Sequence, residues 1–397
     1  MKKLRRNTSY EERTVLLTLV IAIAFIGGML TGVLFSANKS NDRTVITKES
    51  PKSAIKPQTK KVPKVEKSQS KVLIGYVQDF RDPNVVDYAK LTHVIFSFAH
   101  PTKDGAILLN GDASLKNLRT VVKNAEKYDT KVMLAVGGWF HINGGESYEY
   151  FKTAISNPES RSKLVNELTS IADSEHLDGI DIDFEHPRSK ADAANLAAFT
   201  KELSTQLHSK NKELSIAVYS KIHAVTLTEI GFVIYEPSMF QDVDHVNIMA
   251  YDGQWDDGYH AANLSPYPFT EKIVNYWADL FEKNNLPKEK LVLGVPFYAQ
   301  PEDPKVKQVS YAAIINQDPA NAANDTVSMN GTTYYYNGGS TMKKKTTLAL
   351  DHGFGGMMIW EVGLDSDGSH SLTGTIFNAL KDSNNQPIKY YAVKKNR

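Results

Sequence analysis

The sequence predicts a (β/α)8 barrel between residues 71 and 385. Eight short apolar runs, rich in β-branched residues, recur there at long intervals. Most of them are separated by segments with apolar residues at three- and four-residue spacing, such as Leu196, Phe199, Leu203 and Leu207, which is the period of an amphipathic helix. Alternating strands and helices suit a closed barrel better than an open doubly wound sheet, because no glycine-rich phosphate loop follows the first run.

The predicted strands occupy residues 72–77, 92–98, 131–137, 179–185, 213–219, 244–250, 291–297 and 355–361. The gap between the seventh and the eighth strand is the longest. From Gln300 to Tyr336 it contains Pro, Asn, Asp and Tyr with little helical period. This gap predicts a small insertion on the loop face of the barrel, with one short helix in "VSYAAIINQ".

A transmembrane helix is predicted over residues 14–35, "TVLLTLVIAIAFIGGMLTGVLF", a run of 22 residues without a charge. Such a run is long enough to cross a hydrocarbon core of about 30 Å. Basic residues precede it, so the positive-inside rule puts residues 1–13 in the cytoplasm and the barrel outside the cell. The expected localisation is a single-pass protein of the cell membrane. The alternative is a cleaved signal peptide, which would release a secreted barrel.

Residues 36–70 are rich in Lys, Ser, Thr and Pro without an apolar period, which predicts a disordered linker, and residues 386–397 form a polar tail.

The charge balance and the cysteine content exclude some classes of function. Residues 1–70 contain 14 Lys/Arg and 5 Asp/Glu, which leaves 32 basic and 40 acidic residues for the rest. This acidic balance argues against a nucleic-acid partner. The absence of cysteine excludes disulfides and thiolate chemistry.

The stretch "LDGIDIDFEHP" places four carboxylates on the fourth predicted strand, at Asp178, Asp181, Asp183 and Glu185. Strand alternation puts the last three on one face. In a barrel they would line the interior, and Glu185 would lie at the carboxyl end, where barrel active sites form. Buried carboxylates repel unless they share protons or bind cations. The pattern therefore predicts a hard-metal site or a coupled proton store that keeps Glu185 protonated. A solvent-facing acidic strand is a third alternative, but the intervening residues are apolar.

Four motifs resemble those of the family 18 glycoside hydrolases, the chitinases and related endo-β-N-acetylglucosaminidases. "DGIDIDFE" (178–185) matches the D-x-x-D-x-D-x-E signature. "AVGGW" (135–139), "IMAYD" (248–252) and "GGMMIWE" (355–361) are similar to the motifs of strands three, six and eight. The resemblance implies hydrolysis of a β-1,4 bond next to an N-acetylglucosamine unit, with retention of configuration and an oxazolinium ion formed by the substrate's own acetamido group. It implies no metal ion or cofactor, and we expect a monomer whose partner is the glycan.

The resemblance also implies a role for each matched residue. Glu185 would be the general acid and then the general base. Asp183 would orient the acetamide N–H, Asp181 would share a proton with Asp183, and Tyr251 would donate a hydrogen bond to the acetamide oxygen. The other expected substrate-binding or pocket residues are Asp178, Met249, Asp252, Trp360, Tyr76, Phe98, Trp139 and Tyr298.

Three residues depart from the family pattern. Ala135 replaces a serine, so the buried carboxylates need another hydrogen-bond partner. His186 stands where a tyrosine or tryptophan is common, and its titratable ring is expected to shift the pH optimum. Gln300 stands where an arginine is common. The alternatives are an endo-β-N-acetylglucosaminidase acting on N-glycans, a cell-wall hydrolase and a non-catalytic lectin, although the presence of Glu185 argues against the lectin.

Overall fold

A computed structural model of the chain describes residues 71–384. The predicted cytoplasmic tail at 1–13, transmembrane helix at 14–35, linker at 36–70 and polar tail at 386–397 lie outside the described residues. Between residues 71 and 384, none of the helices has both the length and the apolar character that a membrane crossing requires.

The described part of the chain contains thirteen strands. They are β1 (Val72–Gln78), β2 (His93–Pro101), β3 (Ile107–Leu108), β4 (Lys131–Gly137), β5 (Gly179–Asp183), β6 (Glu213–Tyr219), β7 (His245–Met249), β8 (Leu291–Pro296), β9 (Tyr298–Pro301), β10 (Val309–Ser310), β11 (Thr326–Met329), β12 (Thr332–Tyr335) and β13 (Gly356–Trp360).

Eight of these strands form a closed parallel barrel. Their order is β1-β13-β8-β7-β6-β5-β4-β2, and β1 also pairs with β2. That last pairing closes the sheet on itself, so no barrel strand is left with a free edge. The eight strands predicted from the sequence are these eight, with ends that differ by a few residues. The predicted barrel is confirmed.

The helices are α1 (Gly111–Ala125), α2 (Tyr148–Ser156), α3 (Pro158–Ser174), α4 (Lys190–His208), α5 (Tyr267–Lys283), α6 (Tyr311–Gln317), α7 (Gly339–Asp351) and α8 (Leu372–Asn384). Helix α4 shows why they form. The Ser189 side chain accepts a hydrogen bond from the Asp192 N–H at its amino end, which supplies an N-cap. The predicted stripe of Leu196, Phe199 and Leu203 is buried.

Two of the crossovers lack an α-helix, which the sequence pattern did not indicate. The β1–β2 connection contains a 3-10 turn at Pro83–Val85, and the β6–β7 connection contains one at Pro237–Gln241. Each turn begins at a proline, which fits a first helical position but cannot continue a helix that has already begun.

The apolar core has two parts. The larger part lies between the strands and the helices and includes Ile180 and Ile182 of β5. The smaller part lies inside the barrel and consists of Ile74, Tyr76, Ile95, Met133, Ala135, Tyr251, Val292 and Met358. The alternation along β5 therefore sends Asp181 and Asp183 inward and the isoleucines outward, as the pattern predicts.

The insertion between β8 and β13 is a small antiparallel sheet with the strand order β10-β9-β12-β11, together with helix α6. It is connected to the barrel by Lys345 of α7, which is fully buried. The Lys345 ammonium donates to the Ser265 carbonyl at 2.6 Å, to Ser265 Oγ at 2.7 Å and to Asn337 Oδ1 at 2.7 Å. Ser265 in turn donates to the carbonyl of Ala250 at the end of β7.

We expect Lys345→Ala to lower the free energy of unfolding by about 2–4 kcal/mol, because it leaves a cavity and three unpaired buried acceptors. Urea unfolding measures this change. Lys344→Ala is the matched control, since Lys344 is exposed on the same helix, and it should change the stability by less than about 0.5 kcal/mol. Equal effects of the two substitutions would contradict the structural role of Lys345.

Candidate active site

Asp181 lies on the barrel axis with no exposed surface. Its Oδ2 accepts a hydrogen bond from the Tyr76 hydroxyl at 2.8 Å, and its Oδ1 accepts from Ser215 Oγ at 2.5 Å and from Asn247 Nδ2 at 3.2 Å. Burial raises the pKa of Asp181 to about 6, while these donors lower it because they stabilise the carboxylate. The group is held in one place by strands β1, β6 and β7 together.

Asp183, the last residue of β5, lies two positions closer to the mouth of the barrel. It is 3% exposed, and its Oδ1 is buried without a hydrogen-bond partner among the described residues. Burial raises the pKa of Asp183 well above its ordinary value, and the charges of Glu185 and Asp181 raise it further. A buried carboxyl oxygen without a donor is costly for a protein to keep, which makes Asp183 a candidate for contact with a bound ligand.

Glu185 follows the strand and is partly exposed at its carboxyl end. Burial and the charge of Asp252 together raise the pKa of Glu185 to about 8, against the opposing charge of Arg188. A raised pKa favours the protonated form near neutral pH, which is the form that a general acid requires. Along β5 and just beyond its end the structure places in sequence the hydrogen-bonded carboxylate of Asp181, the carboxyl of Asp183 with its unpartnered Oδ1, and Glu185 with its raised pKa.

Aromatic rings form one wall beside the acidic file, which is the row of carboxyl groups of Asp181, Asp183 and Glu185. The rings of Trp360 and Phe98 stack with centroids 5.9 Å apart, and the Tyr76 and Trp360 rings are 5.6 Å apart. Trp360 and Phe98 are partly exposed, whereas Tyr76 is buried. A half-exposed indole at the end of a barrel strand offers a flat apolar surface to a ligand.

The end of β7 contributes Met249, Tyr251 and Asp252. The Tyr251 hydroxyl lies 3.8 Å from Met358 Sδ and has no oxygen or nitrogen partner in the described structure. Asp252 is exposed to the cleft, and its Oδ1 accepts hydrogen bonds from Gln254 and from the Tyr298 hydroxyl. Met249 is partly exposed and packs against the interior cluster. Together these side chains place one phenol and one carboxyl group near the mouth.

Asp178 lies at the opposite end of the barrel, so its predicted assignment to substrate binding is corrected. It precedes β5, is exposed, and accepts a hydrogen bond from the Val132 N–H at 2.8 Å. It lies seven positions before Glu185, which in an extended chain is a span of roughly 23 Å. Its carboxylate links the beginning of β4 to the beginning of β5.

His186 does not titrate near neutral pH, so its expected effect on the pH optimum is also corrected. It is 7% exposed, and burial, aided by the charge of Arg188, lowers its pKa to about 3. The ring lies between aromatic neighbours, with its centroid 4.3 Å from that of Tyr219 and 6.1 Å from that of Trp139. His186 is a neutral packing residue behind Glu185.

Sequence reasoning missed Ser215, Asn247 and Tyr219. Ser215 supplies the hydroxyl that Ala135 lacks, because Ala135 and Ser215 are the neighbours of Asp181 on β4 and β6. The available signal was alternation: a polar residue on an otherwise apolar buried strand, at the level of Asp181, points inward. Gln300, the third departure, is buried and donates to Gln308 Oε1 at 3.0 Å.

Residues 69–365 match the family model described as glycosyl hydrolases family 18. The chain belongs to this family. Endochitinase 1 of Metarhizium robertsii is 26% identical over 362 residues, which cover 74% of this chain and 80% of the relative. A family 18 chitinase from the chitin utilization locus of Flavobacterium johnsoniae has a TM-score of 0.65 and 27% identity over 80% of this chain and 96% of its own.

A chitinase-like effector of Moniliophthora roreri is 30% identical over 241 residues, which span 56% of each chain. With the family match and the relatives named as chitinases, the protein is a chitinase-like glycoside hydrolase. The acidic file and the aromatic wall lie at the carboxyl end of this glycosidase barrel.

The raised pKa of Glu185 predicts that activity is lost as the pH rises through about 8, because the acid form is then depleted. Asp252→Asn should move this alkaline limb to lower pH, and Arg188→Gln should move it to higher pH, each by roughly 0.5–1 unit. The pH dependence of kcat/KM measures both shifts. Shifts in the same direction would contradict an electrostatic origin of the raised pKa.

Proposed function

We propose that this glycosidase cleaves the β-1,4 bond beside an N-acetylglucosamine unit of a chitin-like polymer, with retention and with the substrate's acetamido oxygen as nucleophile. The observation that supports this most is Asp183, whose buried Oδ1 lacks a partner between a hydrogen-bonded Asp181 and a protonated Glu185. An acetamide N–H is the type of donor that would satisfy it.

Glu185 begins the reaction as the acid. Its proton passes to the glycosidic oxygen while the acetamido carbonyl oxygen bonds to the anomeric carbon, so that the leaving alcohol departs and a cyclic oxazolinium ion remains. A water molecule then attacks the anomeric carbon, and the Glu185 carboxylate takes its proton. The ring opens, the acetamide is restored, and Glu185 is protonated again.

Asp183 and Asp181 act on the charge of the intermediate. Asp183 accepts the acetamide N–H and so fixes the direction of attack. As positive charge develops beside it, the proton of Asp183 passes to Asp181, and Asp183 becomes an anion that stabilises the oxazolinium ion. The donors Tyr76, Ser215 and Asn247 keep Asp181 in place for this exchange.

Tyr251 and Trp360 position the sugar. The Tyr251 hydroxyl, whose partner in the described structure is a weak sulfur acceptor, is available to donate to the acetamide oxygen. The partly exposed Trp360 ring stacks on the apolar side of the pyranose ring. Phe98, Trp139, Tyr298, Met249 and Asp252 form the surrounding pocket.

Chitin is the proposed substrate because the relatives of this chain include an endochitinase and a bacterial chitinase. N-glycans and peptidoglycan contain the same acetamido sugar, so the same substrate-assisted mechanism would apply to them. Parallel assays on N-acetyl-chitooligosaccharides, high-mannose glycopeptides and peptidoglycan distinguish the three.

Glu185→Gln removes the transferable proton but keeps the shape of the side chain. We expect kcat on N-acetyl-chitooligosaccharides to fall by at least about 100-fold, with binding of the oligosaccharide retained in calorimetry. Wild type and variant cleaving at equal rates would refute the assigned role, and binding without cleavage by the wild type would favour a lectin.

Substrate assistance predicts a dependence on the acetyl group. A chitosan oligosaccharide should not be cut where glucosamine precedes the scissile bond, since an ammonium group cannot form the oxazolinium ring. Mass spectrometry of the products from a partially acetylated oligomer identifies the residue at each new reducing end. Efficient cutting after glucosamine would eliminate this route.

We also propose, from the sequence of residues 1–35, that the barrel is held outside the cell by a membrane helix at 14–35. The charge-free run and the basic residues before it support this proposal. The mature amino terminus separates an uncleaved anchor from a cleaved signal, which would leave a protein that begins near Asn38.

A further inference from the structure

The amino-terminal end of the barrel, opposite the acidic file, contains a second cluster of ionisable side chains. His93, Glu213 and His245 are the first residues of β2, β6 and β7. Glu213 and His245 each precede by two positions a residue that hydrogen-bonds Asp181, and His93 precedes Ile95 of the interior cluster by two. By strand alternation all three side chains point to the barrel axis.

The three side chains converge on one point. One ligand atom from each lies within 4.8 Å of the others. His93 Nε2 is 2.9 Å from Glu213 Oε2, and His245 Nε2 is 3.7 Å from the same oxygen. Two ligands of a tetrahedral ion with bonds of 2.0–2.2 Å are about 3.3–3.6 Å apart, and both distances to Glu213 Oε2 lie within a few tenths of an ångström of this spacing.

His245 is the side chain that the cluster leaves unsatisfied. Its Nδ1 is buried without a partner, and its Nε2 lies too far from Glu213 for a hydrogen bond. Neither nitrogen of this ring has a hydrogen bond of normal length within residues 71–384. His245 Nε2 is therefore free to act as a ligand on the side of the cluster, and the buried atom without a partner is Nδ1.

His93 has the outer contact that a ligating imidazole needs. Its Nδ1 lies 2.8 Å from Thr92 Oγ1, and that hydroxyl can donate its own proton to the Leu73 carbonyl at 3.0 Å. Thr92 can therefore accept from Nδ1–H when an ion takes the place of the Nε2 proton that lies between His93 and Glu213 in the metal-free site. Such a hydrogen bond to the second ring nitrogen orients metal-bound histidines in proteins.

We propose that His93, Glu213 and His245 form a binding site for a divalent transition-metal ion of the Zn²⁺ class. Two imidazoles and one carboxylate are a ligand set that Zn²⁺ accepts with three protein ligands and a water. The side chains of Glu213 and His245 are 23% and 14% exposed, so the fourth position opens to solvent. The ion would connect β2 to β6 and β7 across the barrel.

Lys131 competes with the ion. Its ammonium contacts Glu213 Oε1, the carboxylate oxygen that faces away from the histidines, and its side chain is 46% exposed. A positive charge at this position weakens the binding of a second cation, but an exposed lysine can turn into solvent when the ion binds. Removal of the Lys131 charge should therefore tighten metal binding.

The test is calorimetric titration of the purified, untagged full chain with Zn²⁺ after removal of metal by a chelator. We expect one equivalent to bind, and His245→Gln and Glu213→Gln each to weaken this binding at least 10-fold. Lys131→Met should strengthen it several-fold. His208→Gln is the matched control, because His208 forms an exposed pair with Asp244, 3.0 Å apart, outside the cluster, and it should bind as the wild type does.

Two further readouts separate ligation from general stabilisation. Co²⁺ should give the intense visible bands of a four-coordinate site in the wild type and not in His245→Gln. Zn²⁺ should raise the Tm of the wild type and not that of His245→Gln, whose hydrolysis of chitooligosaccharides stays unchanged. Binding that His245→Gln and Glu213→Gln leave intact, or no stoichiometric binding at micromolar Zn²⁺, would overturn the proposal. None of these results depends on the proposed catalytic mechanism.

Discussion

A fully buried carboxylate on the barrel axis is the constraint on which the active site depends. Asp181 has no exposed surface, so its charge must be balanced by donors within the barrel. Tyr76, Ser215 and Asn247 supply them from three strands. The registers of β1, β6 and β7 against β5 must therefore be correct before the site exists, since a shift of one residue would turn the donors outward.

The raised pKa values of Asp183 and Glu185 follow from this arrangement. Above Asp181, burial raises the pKa of both acids; the charges of Glu185 and Asp181 raise that of Asp183 further, and the charge of Asp252 contributes to that of Glu185. The outermost acid is closest to solvent and to Arg188, which moderates its pKa. The three carboxyl groups of the file therefore differ in burial, hydrogen bonding and pKa, and the proposed mechanism depends on these differences.

The two ends of the barrel axis are both polar, but they differ in how their groups are satisfied. At the carboxyl end the buried Oδ1 of Asp183 has no hydrogen-bond partner among the described residues. At the amino end Glu213 has Lys131 and His93 as partners, while His245 lacks one. The barrel interior also contains the apolar side chains of Ile74, Ile95 and Met133.

Sequence patterns were most informative for the strands. The eight apolar runs located all the barrel strands because burial on both faces leaves an unmistakable composition. They were least informative for the crossovers. Prolines at 83 and 237 begin short 3-10 turns instead of helices, and no pattern specified how the β8–β13 insertion pairs as a four-stranded sheet, since pairing between distant short strands depends on neighbours rather than on local composition.

The sequence by itself determined the barrel, the inward direction of Asp181, Asp183 and Glu185, and the family resemblance that gives them roles. These follow from period-two alternation and from a motif contained in eight residues. Only the tertiary structure decided that Ser215 replaces the hydroxyl missing at Ala135, that His186 stays neutral, that Asp178 lies at the wrong end, and that His93, Glu213 and His245 meet. Each of these depends on contacts between side chains distant in the sequence or on burial that the closed barrel imposes. Neither the contacts nor the burial can be predicted from a local sequence pattern.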